Sequence, residues 1–125
     1  MLIDSDVLIW YLRGHAKAAQ FLDALPGFTV SAVSYMELVQ GCRKGEELSR
    51  LKKDFAARGV DMLPITEAIS GRAVALVETH FLGGGLRMAD ALIAATAIEH
   101  RLALASANVK HFAPIAGLEV EQFGP

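Results

Sequence analysis

Only one cysteine, Cys42, occurs in the chain, which excludes an internal disulfide and a cysteine-based zinc site. No apolar run approaches the roughly 18 residues of a membrane span. The N-terminus has no basic residue before its apolar part and meets an acid at position 4, a pattern unlike a signal peptide. Basic charge is not in excess: 12 Lys and Arg face 14 Asp and Glu, a net charge of −2. Taken alone, that balance disfavours a polyanionic partner, because phosphate contacts usually need a basic surface. A disordered chain is excluded by the 53% hydrophobic content and the regular Gly and Pro punctuation. The expectation is one domain over residues 1–125, located in the cytoplasm.

Short apolar strand candidates alternate with longer helical stretches. Strands are expected at 1–4, 28–30, 60–63, 102–105 and 118–120. Helices are expected at 6–13, 16–25 (closed by Pro26-Gly27), from the 31–34 region through Val39, and at 46–58. A further helix runs from a Thr66 cap to about residue 80, another covers MADALIAATAIEHRL, and a short turn lies at 108–112. Ser31 and Ser34 are both candidate caps, and Gly83-Gly84-Gly85 reads as a flexible loop. This alternation implies a three-layer α/β/α fold with a central, mostly parallel sheet of about five strands. Ligands in such sheets sit beyond the carboxyl ends of the strands, where the winding reverses. Asp4 ends the first strand and so stands where the chemistry is expected.

The opening MLIDSDVLIW sets two acids inside an apolar stretch. A carboxylate beside a core must be solvated, paired or bound to a cation. Similar questions arise at Glu37 in SYMELVQG, Asp90 in RMADALIAATA and Asn108 in LASANVKHF. Taken singly, each has an ordinary explanation. Asp6 reads as a helix cap, Glu37 as a solvated helix face, Asp90 as a first-turn acid favoured by the dipole, and Asn108 as a turn residue. Taken together, all are oxygen donors near strand ends or helix starts, and such ends can meet in one pocket. The four histidines invite no catalytic role, and the glycine loop is not a P-loop, since no Lys-Ser/Thr follows it.

LIDSDVLIWYLRG, SAVSYMELVQG, ADALIAATA and LASANVKHF, in that order, resemble the PIN domain, specifically the VapC-type toxins of bacterial toxin–antitoxin pairs. The resemblance runs the length of the chain. It implies that Asp4, Glu37 and Asp90 are the acidic catalytic and metal-binding residues. Asn108 would take a position where many members carry a fourth acid, with Asp6 and Ser106 in support. It also implies endonucleolytic hydrolysis of RNA by a metal-activated water, with tRNA among the candidate substrates. A VapB-type antitoxin and a homodimer are the implied partners. Hard oxygen donors without His or Cys suit Mg²⁺ or Mn²⁺. If three acids bind metal, the remaining charges nearly balance, and the objection from net charge falls away. Arg87 and Lys110 are candidate RNA phosphate contacts. Trp10, Tyr11, Leu48 and Leu51 are candidates for an antitoxin groove.

Three rivals fit parts of this pattern. A phosphatase with Asp4 as nucleophile and Asp6 as acid would need a lysine and a further acid pair after later strands, and neither strand 60–63 nor strand 103–105 ends in them. A signalling receiver would need a phospho-acceptor Asp ending the third strand, and MLPIT has none. A PIN-like module that only binds would be expected to have lost its acids.

Overall fold

A computed structural model describes residues 1–83 and 85–125. The central Gly84 of the expected glycine loop lies outside the described residues. The elements are β1 (Leu2–Ile3), α1 (Ser5–Leu12), α2 (Ala16–Asp23), β2 (Thr29–Ser31), α3 (Ala32–Gln40) and α4 (Gly45–Arg58). They continue with β3 (Asp61–Leu63), α5 (Glu67–His80), α6 (Met88–Glu99), β4 (Leu104–Ser106), α7 (Val109–Phe112) and β5 (Val120–Gln122). The five strands lie in the order β3-β2-β1-β4-β5 and every pairing is parallel.

Period-two alternation builds the three layers. In β1, Leu2 joins Val33, Ile93, Leu104 and Phe112 on one face, while Ile3 joins Val7, Leu22, Val30 and Phe55 on the other. The register pairs Leu2 with Leu104 and Ile3 with Ala105, so like faces meet across the ladder. Leu2, Ile3 and Leu104 are fully buried, and cutting any of them to Ala should cost about 2–5 kcal/mol. Helix α6 buries Ala91, Ala94, Ala95 and Ala97 completely; side chains this small let it lie close against its neighbours.

Several boundaries differ from the sequence reading, each for a local reason. The cap of α1 is Asp4, which accepts the Ser5 N–H at 2.8 Å, rather than Asp6, which falls in the first turn. Ser31, not Ser34, caps α3 by accepting the Val33 N–H. Helix α6 stops at Glu99 because Arg101 turns to φ 53° and Leu102 N–H returns to the Ala97 carbonyl, which delays β4 to residue 104. The last strand begins at Val120, two residues later than expected.

The chain winds outward from β1 through β2 to β3, then crosses back to lay β4 and β5 on the other side. The reversal lies between β1 and β4. In a parallel sheet the carboxyl ends of two such strands open a crevice there.

Candidate active site

Because β1 and β4 are parallel neighbours in fixed register, the residues that follow them emerge side by side. The Asp4 N–H bonds the Ala105 carbonyl at 2.9 Å, which sets Asp4 level with Ser106. Ser106 Oγ donates to Asp4 Oδ2 at 2.7 Å and accepts the Asn108 N–H at 2.9 Å. Asp6 reaches the same place from the first turn of α1. Its Oδ1 accepts the Val7 N–H and its Oδ2 accepts the Ala107 N–H at 3.0 Å, tying α1 to the end of β4.

These carboxylates are held where negative charge is disfavoured. Asp4 is only 6% exposed, and burial, then the charge of Asp6, pushes its pKa up from 3.8 to about 7. The hydrogen bonds from Ser106 and the Ser5 N–H oppose that rise, and Asp90 adds to it. Burial also raises Asp6, against the pull of the Val7 and Ala107 N–H groups. The buried acids resist charge that a bound cation would offset.

Glu37 lies about a turn and a half into α3, half-buried, and its Oε1 accepts the Ser5 hydroxyl at 2.6 Å. It therefore joins the Asp4 end of the site through Ser5. Asp90 sits in the first turn of α6, where its Oδ2 accepts the Arg87 N–H at 3.3 Å. His111 Nδ1 stands 3.7 Å from the same oxygen and 2.8 Å from the Asn108 amide nitrogen. Asp4, Asp6, Ser106 and Asn108 thus share one direct network. Glu37 and Asp90 stand on either side of it. Among the described residues, no three His, Cys, Asp or Glu side chains are gathered tightly enough to enclose a cation by themselves. The donors are all hard oxygens, and magnesium commonly keeps several waters and takes one or two protein carboxylates, so the set suits a divalent cation.

Two participants escaped the sequence reading. Ser5 links Glu37 to the β1 end, and its only sequence signal is its place between two aspartates. His111 joins the Asn108–Asp90 side; the signal is its i+3 spacing from Asn108 on α7. Arg87 caps α6 with its backbone beside Asp90, and Lys110 is exposed next to His111.

A cleft of about 670 Å³ opens between α1, α3 and α4 and reaches Glu37. Ile9, Leu38 and Leu51 give it an apolar floor, with Arg13, Arg43 and Arg50 among its polar walls. Tyr11 lines it, and its hydroxyl donates to the Asp54 carboxylate at 2.9 Å. Arg58 Nε donates to that same hydroxyl at 3.1 Å, and the Arg58 guanidinium lies 4.8 Å from the Tyr11 ring centre. Leu48 packs half-buried on the core. Trp10 is not among the cleft's lining residues; its ring meets His15 edge-on at 4.9 Å.

The PIN-domain family model matches residues 1–118. Ribonuclease VapC10 of Mycobacterium tuberculosis is 37% identical over 118 residues, covering 90% of this chain and 85% of that protein. Among solved structures, a toxin–antitoxin complex from Klebsiella pneumoniae aligns with a TM-score of 0.80 at 33% identity, over 94% of this chain and 93% of that one. VapBC2 from Rickettsia felis, solved with a promoter DNA fragment, aligns at 0.82 with 20% identity over 98% of both chains, which supports the fold alone. An all-parallel sheet, acids at its winding reversal, and a family match over nearly the whole length agree: the chain belongs to the PIN-domain family.

Proposed function

We propose that this protein is a divalent-metal-dependent endoribonuclease that serves as the toxin of a toxin–antitoxin pair. The observation that carries the reading is the buried Asp4–Asp6–Ser106 network at the β1/β4 crevice, flanked by Asp90 and Glu37. Asp4, Glu37 and Asp90 would hold Mg²⁺ or Mn²⁺, with Asn108 as a neutral fourth donor. When bound, the cation lowers the pKa of a water and offsets charge on the phosphoryl oxygens. The chain's own groups prepare the site. Ser106 and the Ser5 N–H fix both oxygens of Asp4, Ser5 fixes Glu37, and Asp6 locks α1 to β4. Arg87 and Lys110 flank the crevice as contacts for the phosphates of RNA, tRNA included.

An aspartyl-phosphate mechanism is poorly served by this geometry. The acid that would have to act beside Asp4, Asp6, is tied by both oxygens to the Val7 and Ala107 N–H groups. No lysine follows β3 or ends β4.

The Klebsiella relative was solved as a toxin–antitoxin complex, and the same kind of partner suits this chain. The cleft beside Glu37 is the fitting place for an apolar segment of a VapB-type antitoxin, with Tyr11 and Leu51 in its walls. A homodimer is part of this reading. Action in the cytoplasm belongs to the same reading; among the described residues, no helix is long and apolar enough to cross a membrane. The test is cleavage of total RNA by the purified protein, with the 5′ ends of the products sequenced. Cutting should require Mg²⁺ or Mn²⁺ and be lost in Asp4→Asn. Full cutting in excess EDTA would refute the metal mechanism.

A further inference from the structure

Asparagine at position 108 poses a problem that an aspartate would not. A carboxylate offers an oxygen to a cation whichever way its side chain turns. An amide has one oxygen and one NH₂ group, and only the oxygen is a ligand. Asn108 can act as the fourth donor only if its amide is held the right way round.

His111 supplies that hold. Asn108 begins α7, and its backbone N–H donates to Ser106 Oγ, which in turn donates to Asp4. Its side-chain amide nitrogen lies 2.8 Å from His111 Nδ1, one turn along α7, and that Nδ1 stands 3.7 Å from Asp90 Oδ2. Asn108 therefore links the Asp4 side of the site to the Asp90 side, and Asp4 feels the Asp90 charge.

An amide nitrogen only donates, so the Nδ1 that faces it carries a lone pair and the ring proton sits on Nε2. The spacing to Asp90 agrees. At 3.7 Å it is too long for an N–H···O bond and suits two atoms that both accept. With the nitrogen taken by His111, the amide oxygen is left over. Among the described residues, it accepts no hydrogen bond. A cationic side chain in place of the imidazole would attract the oxygen instead.

We propose that His111 is a positioning residue that turns the Asn108 amide so that its oxygen, not its nitrogen, is offered to the divalent cation. The proposal rests on the metal-dependent ribonuclease reading. It gives the amide at 108 a compensating partner three residues further on. His111 touches neither cation nor RNA in this role and acts only through Asn108.

The test is Mn²⁺ binding to the full-length protein without RNA, read from the electron paramagnetic resonance of free Mn²⁺. His111→Ala should weaken binding about tenfold, the lower end of the loss usual when a metal ligand's own partner is removed. In an Asn108→Asp background the same change should cost no more than about twofold, the scatter of uncoupled sites, because a carboxylate needs no orienting. A merely structural histidine would lose equally in both backgrounds. In saturating Mg²⁺, nitrogen-15 NMR of the wild type should place the His111 proton on Nε2. Cleavage by His111→Ala should recover at high Mg²⁺, with KM for RNA unchanged.

Equal losses in the two backgrounds would overturn the proposal, as would undiminished binding in His111→Ala or a proton on Nδ1. If His111→Ala does not fold, the tautomer of the wild type decides. A wild type that binds no Mn²⁺ would end the metal reading and this proposal with it. Wild-type binding that is indifferent to His111 would remove the proposal alone.

Discussion

Replacing Asp4 with Asn isolates the energetic cost of holding an acid in this crevice. Asp4 is buried, and its carboxyl is pushed from 3.8 to about 7, chiefly by burial and then by the charge of Asp6. An acid whose folded pKa exceeds its unfolded value favours the folded state fully only at low pH. Stability is lost as pH rises from about 4 to about 7, because the unfolded chain releases the proton first. Each pKa unit corresponds to roughly 1.4 kcal/mol, so the metal-free protein gives up about 4 kcal/mol across that window. Asparagine carries no charge. It keeps an oxygen for the Ser5 N–H, and its amide can donate to Ser106 Oγ if the serine hydroxyl turns toward Asp6, 3.4 Å away. In EDTA at pH 8, Asp4→Asn should therefore be more stable than wild type by about 2–4 kcal/mol, a rise in melting temperature of about 10 °C. At pH 4 the two should nearly coincide. Saturating Mg²⁺ at pH 8 should restore wild type and leave the variant almost unmoved. Urea or thermal unfolding at the two pH values, with and without Mg²⁺, measures all four quantities. A difference that does not change with pH would refute the reasoning, as would a variant less stable than wild type at pH 8.

Further outcomes follow from the same contacts. Ser5→Ala removes the hydroxyl that holds Glu37 and should lower kcat more than it alters stability, which should fall by about 1 kcal/mol; equal kcat would mean that Glu37 needs no such anchor. Tyr11→Phe removes the hydroxyl that bridges Asp54 and Arg58, which also pair directly at 3.6 Å, and should cost about 1 kcal/mol in urea unfolding, without changing RNA cleavage. Leu51→Ala would confuse cleft and core, since Leu51 is buried, so the antitoxin groove is better tested by Arg50→Glu. That exposed change should weaken co-purification with an antitoxin encoded by a neighbouring small reading frame and leave nuclease activity intact. Failure of any such neighbour to bind or to relieve toxicity would count against the toxin assignment.

The local physics of most elements was legible along the chain. A short apolar run marked β1, the Pro26-Gly27 pair marked the stop after α2, and Thr66 marked the start of α5, where its hydroxyl accepts the Ile69 N–H. The parallel α/β class followed from the alternation of strands and helices. Boundaries set by bonds between distant parts of a turn were not legible. Arg101 entering the left-handed region shortened α6 and moved β4 by two residues, and no local propensity announces that for an arginine.

The candidate acids were visible as charges out of place in apolar runs, because an uncompensated carboxylate near a core is costly whatever the fold. The sequence alone therefore determined which residues to ask about. Their relations were decided by the sheet. Parallel register between β1 and β4 sets Asp4 beside Ser106, 102 positions away, and brings the Asp6 carboxylate to the Ala107 N–H. It also moves the cap of α1 to Asp4, because the chain must bend out of the strand there. Glu37 and Asp90 come from helices on separate crossovers, so their separation depends on how α3 and α6 pack, which no spacing encodes. Only the folded sheet decides which acids share a proton, a cation or a substrate, since those couplings depend on distances of a few ångströms between residues far apart in the chain.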